Sequence, residues 1–208
     1  MLFRSVSMGT LVLIRHGQSI WNAENRFTGW VDVGLSERGI EEAKDAGRLL
    51  QDVQFDAVFA SGLIRDQRTA DIILEINKSW DGVQVRYDNR LNERNYGDLQ
   101  GRNKQECREQ FGDEQVRLWR RSFKGMPPGG ESLEMTANRA LPCLFEEIVP
   151  LLEVGKTVLV AAHGNSLRSL VMEIEGLSPE AIVEREIPTG TPMAYSLTSG
   201  VLSRLDLN

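Results

Sequence analysis

Two short aliphatic runs, each ending in His-Gly, constrain the fold of this chain more than any other feature. Residues 11–17 read LVLIRHG and residues 158–164 read VLVAAHG. Each run has the length of a β-strand and is apolar on both faces, which is typical of strands in a parallel sheet covered by helices. The sequence therefore predicts an α/β protein with these two strands inside its sheet.

The rest of the first half alternates helical and extended patterns around that sheet. Ser36 is a suitable N-cap for the first long helix, because acidic residues follow it in the first turn. The predicted elements are a helix over 35–51, a strand over 55–61, a helix over 64–76 and a strand over 83–88. Strands that alternate with helices favour a three-layer α/β/α sandwich with a mostly parallel central sheet.

The second half contains more loop and helix before its last strands. Its predicted elements are a loop over 90–101, a helical stretch over 103–121 broken near Gly112, a turn over 124–130, a long helix from Ser132, a helix after His163, and edge strands at PMAYSLT (192–198) and VLSRLDL (201–207). We expect Pro142 to kink the long helix and Pro150 to lie near its end.

Composition excludes several classes of function. The net charge of −6 argues against a general nucleic-acid binder, and no apolar run approaches the ~20 residues of a membrane helix. Cys107 and Cys143 are too few for a disulfide framework or a thiolate metal site. We therefore expect a cytoplasmic protein with a loose leader over residues 1–9, in which Met8 is an alternative start, and one domain over 10–208.

The chain has only two histidines, His16 and His163, and each stands at the end of an aliphatic run. In open α/β sheets, ligands bind at the carboxyl ends of the strands. Ser61 ends another predicted strand, with Arg65 one helical turn further on. If the two aliphatic strands are neighbours, both imidazoles converge on one point.

Several chemistries are compatible with two histidines at one point. A lone histidine is often structural, but two in the same context favour function. Ser19 and Ser166 do not stand in a G-x-S-x-G motif, and two histidines are too few donors for a typical metal site. We therefore favour a nucleophilic histidine that attacks phosphorus.

Such a reaction needs cations for the phosphoryl oxygens and an acid/base for the departing oxygen. Arg15, Arg65 and the pair Arg120-Arg121 supply guanidinium groups, although a solvated helix face also explains the pair. Glu93 is the candidate acid/base, although a surface carboxylate is the simpler interpretation of that residue alone.

Five segments carry a resemblance to a known family. The segments RHGQSIWNAENRFTGW, LNERNYGDLQG, GDEQVRLWRR, AAHGNSLR and IPTGTPMAY resemble, in the same order, the cofactor-dependent phosphoglycerate mutases of the histidine phosphatase superfamily. RHG alone indicates the superfamily, whereas FTGW, LNER-x-YG and WRR indicate the mutase branch. The resemblance runs from about Thr10 to the C-terminus.

This resemblance implies a glycolytic and gluconeogenic isomerase that interconverts 3-phosphoglycerate and 2-phosphoglycerate. His16 would become phosphohistidine, primed by 2,3-bisphosphoglycerate without a metal, and Glu93 would exchange protons with the substrate hydroxyl. His163, Arg15 and Arg65 would stabilise the transferring phosphoryl group. Family substrate- or phosphate-binding positions fall on Ser19, Asn22, Thr28, Gly29, Arg94, Tyr96, Lys104, Arg120, Arg121, Gly164 and Asn165.

The chain departs from the family in three places. Gln18 stands where most members have Glu, and Asn95 stands where LNERHYG members have His. The segment KGMPPGGESLEM (124–135) is a few dozen residues shorter than in long relatives, where the extra residues lie over the site mouth and carry subunit contacts. The sequence therefore does not decide whether the chain forms a homo-oligomer, either a dimer or a tetramer. The shorter segment also predicts a more open site, which admits water that competes for phosphohistidine.

The sequence is also compatible with two other functions. A histidine phosphatase of wider substrate range would keep the same histidines and arginines but would need no second phosphate site. A non-catalytic phospho-ligand-binding protein would have lost the nucleophile or the acid, whereas His16 and Glu93 are both present.

Overall fold

A computed structural model describes residues 8–77 and 82–206. Most of the expected leader, residues 1–7, lies outside the described residues. Within them, the first strand begins at Gly9, one residue before the expected start of the domain, and Gly9 pairs with Leu197. Among the described residues, no helix is both long and apolar enough to cross a bilayer.

Within residues 8–77 and 82–206, six strands form one mixed sheet. They are β1 (Gly9–Arg15), β2 (Ala57–Ala60), β3 (Val85–Tyr87), β4 (Thr157–Ala162), β5 (Met193–Thr198) and β6 (Val201–Leu205). Their order is β3-β2-β4-β1-β5-β6, in which the first four strands are mutually parallel and the last two are antiparallel additions. The predicted mostly parallel sheet is confirmed.

Helices lie on both faces of this sheet. They are α1 (Ile20–Ala23), α2 (Glu37–Leu49), α3 (Ile64–Ile76), α4 (Lys104–Phe111), α5 (Asp113–Arg121), α6 (Leu133–Cys143), α7 (Val149–Glu153), α8 (Gly164–Glu175) and α9 (Pro179–Glu184). Ser36 caps α2 as expected, since its hydroxyl accepts from the Gly39 N–H at 3.1 Å. The sequence did not predict the short helices α1 and α9.

The alternation of side chains along β1 divides the core into two layers. Leu11 and Leu13 pack with α6, α7 and α8 on one face, whereas Val12 and Ile14 pack with α2 and α3 on the other. Since successive side chains of a strand point to opposite faces, a fully aliphatic strand suits a sheet covered on both sides. The three-layer α/β/α prediction is therefore confirmed.

The prediction that residues 192–198 form an edge strand is wrong. β5 lies between β1 and β6 and pairs with both, so its backbone is hydrogen-bonded on both sides. Met193, Ala194, Tyr195 and Leu197 are buried because α-helical layers cover this part of the sheet as well. Only β6 is an edge strand at this end.

The irregular segments also differ in detail from the sequence expectation. The loop over 90–101 contains two 3₁₀ turns, Asn89–Leu91 and Gly97–Leu99. The long helix from Ser132 is interrupted by a π-helical turn at Leu144–Ile148, between Pro142 and Pro150. Because proline lacks an N–H, the two prolines weaken the regular hydrogen-bond ladder there.

Strand order brings three chemically important chain positions together. β4 lies between β2 and β1, and the Ala162 carbonyl of β4 accepts from the His16 N–H at 3.0 Å. The adjacent Ala161 carbonyl accepts from the Ser61 N–H at 3.3 Å. The residues that follow three parallel strands therefore meet at one edge of the sheet.

The turn after β1 depends on a close contact between two glycine backbones. A Cβ on Gly17 would lie 2.1 Å from the Gly39 carbonyl oxygen, and a Cβ on Gly39 would lie 2.0 Å from the Gln18 carbonyl oxygen. Neither neighbour is a flexible side chain, so a larger residue must displace backbone.

We expect Gly17→Ala to lower the free energy of unfolding by about 1–3 kcal/mol through this overpacking. Gly34→Ala is the matched control, because nothing lies within 4 Å of its added Cβ, and we expect it to change stability by about 0.5 kcal/mol or less. Urea denaturation measures both. Equal effects of the two substitutions would contradict the backbone contact.

Candidate active site

A cleft of about 270 Å³ opens at the edge of the sheet where β1, β2 and β4 end. Thirteen of the sixteen residues proposed from the sequence line it: Arg15, His16, Asn22, Thr28, Gly29, Arg65, Glu93, Tyr96, Lys104, Arg120, Arg121, Gly164 and Asn165. Its wall carries seven Lys or Arg side chains and two carboxylates, although the whole chain is acidic. The cleft therefore attracts anions.

His16 is held in the protonation state of a nucleophile. Its Nδ1 lies 2.6 Å from the Gly17 carbonyl oxygen, which can only accept, so Nδ1 carries the hydrogen and Nε2 keeps a lone pair. Burial lowers the pKa of His16 well below its usual value, and the nearby Arg65 and Arg15 guanidinium groups lower it further, although Asp66 opposes them. The ring is thus neutral at physiological pH.

Two arginines beside His16 have buried donors without partners. Arg15 Nη1 donates to the Ile187 carbonyl at 2.8 Å, and Arg65 Nη2 donates to the Gly29 carbonyl at 2.8 Å. The Nε atoms of Arg15 and Arg65 are buried with no partner in the described structure. Because unpaired buried N–H groups are costly, these two donors favour an acceptor bound in the cleft that Arg15, Arg65 and His16 all line.

His163 lies behind the cleft wall, against the nucleophile. Its ring centroid is 5.0 Å from that of His16, in an edge-on arrangement. Its Nε2 has two partners, Asp66 Oδ2 at 2.5 Å and Ser61 Oγ at 2.9 Å. Burial, followed by the charge of Arg65, lowers the pKa of His163 well below its usual value.

Asp66 was not proposed from the sequence, because a single Asp in a helix gives no sign that it is buried. It lies in the first turn of α3 with no exposed surface. Burial raises the pKa of Asp66 to about 6, against the lowering effects of His16, Arg65 and the Ser61 hydroxyl.

Glu93 is a buried carboxylate, contrary to the surface interpretation. Its Oε1 accepts from the Asn165 side chain at 2.9 Å, from the Asn165 N–H at 3.2 Å and from the Arg94 N–H at 2.7 Å. Burial alone would raise the pKa of Glu93, but the electrostatic effect of the neighbouring His163, the Asn165 amide and the Arg15 guanidinium lower it to about 2. Glu93 is therefore ionised at neutral pH.

Two side chains outside the proposed site residues hold the backbone of Glu93, and one of them, Trp30, is the last residue of the FTGW motif. Trp30 Nε1 donates to the Glu93 carbonyl at 2.5 Å, and Arg139 Nη2 donates to the same oxygen at 2.8 Å. Arg139 also forms a partly buried ion pair with Glu131 at 2.9 Å. Because Arg139 follows in α6, more than forty residues after Glu93, no local pattern could have indicated this contact.

A second set of cations comes from α4 and α5. Lys104, Arg120 and Arg121 line the cleft, so the solvated-face alternative for the arginine pair is wrong. Burial lowers the pKa of Lys104 to about 8, with Arg120 and Arg15 adding to the effect. Glu186 also lies on the cleft wall and forms an ion pair with Arg121 at 2.6 Å.

Three expected site residues do not line the cleft. Ser19 is buried and caps α1, where its hydroxyl accepts from the Asn22 N–H at 3.1 Å. Arg94 is buried behind Tyr96 and donates to its hydroxyl at 3.0 Å. His163 is the third. Each of the three contacts a residue that does line the cleft. These contacts are Ser19 with Asn22, Arg94 with Tyr96, and His163 with His16.

The cleft also contains four residues that the sequence analysis missed: Arg26, Phe27, Arg168 and Glu186. Arg26 and Phe27 lie within the quoted segment RHGQSIWNAENRFTGW, and Arg168 ends AAHGNSLR, so these motifs contained the signal. Glu186 had none, because its position depends on how the chain after α9 returns to the sheet.

None of the three departures from the family pattern involves a residue that lines the cleft. Gln18 accepts from the Ser36 hydroxyl at 2.9 Å, and Asn95 Oδ1 accepts from the Gly97 N–H at 2.7 Å. The short 124–131 segment packs against the Glu93 loop through the Asp98 N–H, which donates to the Pro128 carbonyl at 2.9 Å.

The described residues include one group with metal-ligand chemistry. Donor atoms of His16, Asp66 and His163 lie within 4.8 Å of one another. However, 2.5 Å between His163 and Asp66 is a hydrogen-bond length, shorter than the spacing of two ligands that each lie about 2 Å from one metal ion. Arg15 and Arg65 further favour an anion here over a cation.

Comparisons with known proteins identify the family of this chain. The family model described as "Histidine phosphatase superfamily (branch 1)" matches residues 11–201. A relative from Nitrobacter winogradskyi named 2,3-bisphosphoglycerate-dependent phosphoglycerate mutase is 55% identical over 202 residues, which are 95% of this chain and 97% of the relative.

Solved structures share the fold. A mycobacterial glucosyl-3-phosphoglycerate phosphatase is similar with a TM-score of 0.80 and 28% identity, over 94% of this chain and 96% of that one. A phosphoglycerate mutase from Bacillus anthracis is similar in fold with a TM-score of 0.77 and 21% identity, over 97% of this chain and 94% of that one.

The raised pKa of Asp66 predicts a pH-dependent cost in stability. A carboxyl whose pKa rises from 3.8 in the unfolded chain to about 6 in the folded one destabilises the fold above pH 6, and the cost declines as the pH falls toward 3.8. We expect Asp66→Asn to raise the free energy of unfolding by about 1–3 kcal/mol at pH 7.5 and by clearly less at pH 4.5. Urea denaturation at both pH values measures this, and a destabilised variant at pH 7.5 would show that the lost ionic contacts outweigh burial.

Proposed function

Because the chain belongs to the histidine phosphatase superfamily (branch 1), we propose that it is a phosphoglycerate mutase that interconverts 3-phosphoglycerate and 2-phosphoglycerate and is primed by 2,3-bisphosphoglycerate. The observation that carries the proposal is a neutral, buried His16 with a free lone pair on Nε2, in a cleft that the guanidinium groups of Arg15 and Arg65 also line. That arrangement suits a phosphoryl group bound at Nε2.

In the first step, His16 Nε2 attacks phosphorus of the bisphosphate. The N–P bond forms, the P–O bond to the glycerate carbon skeleton breaks, and the departing oxygen takes a proton from the protonated carboxyl of Glu93. Arg15 and Arg65 stabilise the charge on the oxygens of the phosphoryl group during transfer. The products are phosphohistidine and a monophosphoglycerate.

In the second step, Glu93 works in the opposite direction. Its ionised carboxylate accepts the proton of the hydroxyl that attacks phosphohistidine, and the N–P bond breaks as the new P–O bond forms. The low pKa in the free protein keeps Glu93 ionised at neutral pH, so the carboxylate is able to accept this proton. The negative charges of a bound phosphoglycerate raise the proton affinity of Glu93, which suits its role as the acid.

The cations of α4 and α5 bind the parts of the substrate that do not react. Arg120 and Arg121 suit the substrate carboxylate and the distal phosphate, because a guanidinium fork binds either group with two hydrogen bonds. Lys104 adds a point charge. A bisphosphate with a carboxylate is strongly anionic, which fits a wall with seven cationic side chains.

The proposal includes a glycolytic and gluconeogenic role in the cytoplasm for one domain over residues 10–208. It also includes a homo-oligomer, for which light scattering distinguishes a dimer from a tetramer.

The test is phosphorus NMR of the purified protein with 3-phosphoglycerate and EDTA, with and without catalytic 2,3-bisphosphoglycerate. We expect 2-phosphoglycerate to appear, with a rate that depends strongly on the bisphosphate. His16→Ala should form neither 2-phosphoglycerate nor a phosphoenzyme, and a labelled His16→Ala protein would show that another residue is the nucleophile. If inorganic phosphate is the main product, the protein is a phosphatase rather than a mutase, like the mycobacterial protein of similar structure.

We expect Glu93→Gln to slow turnover by about 10²–10⁴-fold, because it removes proton transfer. The KM should change little, since the amide keeps the shape of the side chain. Glu153→Gln is the matched control, because Glu153 is exposed in α7, beside the amino end of β4, away from the cleft. Steady-state kinetics measures both variants, and an unchanged kcat in Glu93→Gln would remove Glu93 from the chemistry.

A further inference from the structure

Asp66 is a buried carboxylate that the proposed phosphoryl transfer does not use. It has no exposed surface, and its Oδ2 lies 2.5 Å from His163 Nε2. Ser61 Oγ donates to the same oxygen at 2.8 Å. A buried charge is costly, so the presence of Asp66 next to the two histidines needs an explanation.

The hydrogen-bond partners determine where the protons lie. The Leu63 N–H donates to Ser61 Oγ at 3.1 Å, so the Ser61 hydroxyl hydrogen is free to point at Asp66. An ionised carboxylate only accepts, so His163 must donate to it from Nε2. The neutral ring then has no hydrogen on Nδ1, and this atom is buried without a partner in the described structure.

We propose that Asp66 is a positioning residue that fixes His163 as the Nε2–H tautomer and balances the charge that the ring gains when Nδ1 takes up a proton as an anion fills the cleft. The proposal rests on the proposed phosphoryl transfer. The step forms one N–H bond, and solvent supplies the proton.

The charges around His163 explain why proton uptake accompanies an anion. Arg65 and Arg15 disfavour a cationic ring in the free protein, whereas Glu93 and Asp66 favour it, and Arg139 adds a further cation. An oxyanion at His16 offsets the two nearest arginines. A positive charge on His163, with its ring 5.0 Å from that of His16, then stabilises the phosphoryl group.

The chain offers a direct test, because His16 and His163 are its only imidazoles. Nitrogen NMR of ¹⁵N-histidine-labelled protein, with His16→Ala for assignment, gives the protonation state of each ring nitrogen. In the free wild type at pH 7.5 we expect His163 with a hydrogen on Nε2 only. With saturating orthovanadate, we expect hydrogens on both nitrogens.

Two substitutions separate the charge of Asp66 from its hydrogen bond. Asp66→Asn keeps an oxygen acceptor without the charge, so we expect the Nε2–H tautomer to persist but proton uptake with vanadate to be lost. Asp66→Ala removes both, so we expect the tautomer preference to be lost as well. Asp71→Asn is the matched control, because Asp71 lies in the same helix but outside the cleft wall, and it should behave like the wild type.

Kinetics gives a second readout. We expect Asp66→Asn to lower kcat by about 10–100-fold while KM stays within about threefold, since the residue acts through His163 rather than on the substrate.

The proposal is wrong if free wild-type His163 carries its hydrogen on Nδ1, or if Asp66→Asn gains the second proton with vanadate as the wild type does. These readouts need no turnover. A protein with the expected histidine states but no 2-phosphoglycerate product would therefore lose the mutase proposal and keep this one.

Discussion

The parallel pairing of β1 with β4 is the constraint on which the rest of the site depends. In this pairing Arg15 lies opposite Ala162, so the next residue of each strand, His16 and His163, leaves the sheet at the same level. A shift of one residue would exchange the side chains of the two faces, and the close packing of each face against its own helices disfavours that exchange. The aliphatic core on both faces therefore fixes the distance between the two imidazoles.

Around this point the structure concentrates charge that the rest of the chain does not show. The protein is acidic overall, yet its cleft is strongly cationic, and two of the cationic residues, Arg65 and Arg168, are buried. Backbone carbonyls satisfy part of each guanidinium, as the Gly29 and Ile187 oxygens do for Arg65 and Arg15. The unsatisfied remainder points to an anionic ligand. Buried groups of this kind reduce stability in the free protein and favour ligand binding.

The loop that carries Glu93 shows how distant segments hold one carboxylate. Asn165 at the start of α8 contacts its side chain, while Trp30 and Arg139 hold its carbonyl. The short 124–131 segment packs beside the same loop. The position of the proposed acid/base thus depends on four parts of the chain, which explains how an irregular loop can present a buried, ionised side chain.

The sequence by itself determined the sheet and most of the cleft. Aliphatic runs and the motifs at strand ends are formed by residues that are neighbours in the sequence, so they are visible without the fold. LVLIRHG and VLVAAHG predicted two buried strands with a histidine at each end, and thirteen proposed residues line the cleft. Only the tertiary structure decided that β5 lies inside the sheet, that Arg94 and Ser19 support the wall from behind, and that Asp66 is buried against His163. Those outcomes depend on which elements pack together. Burial of a polar side chain is set by neighbours far away in the chain, and no local pattern contains them.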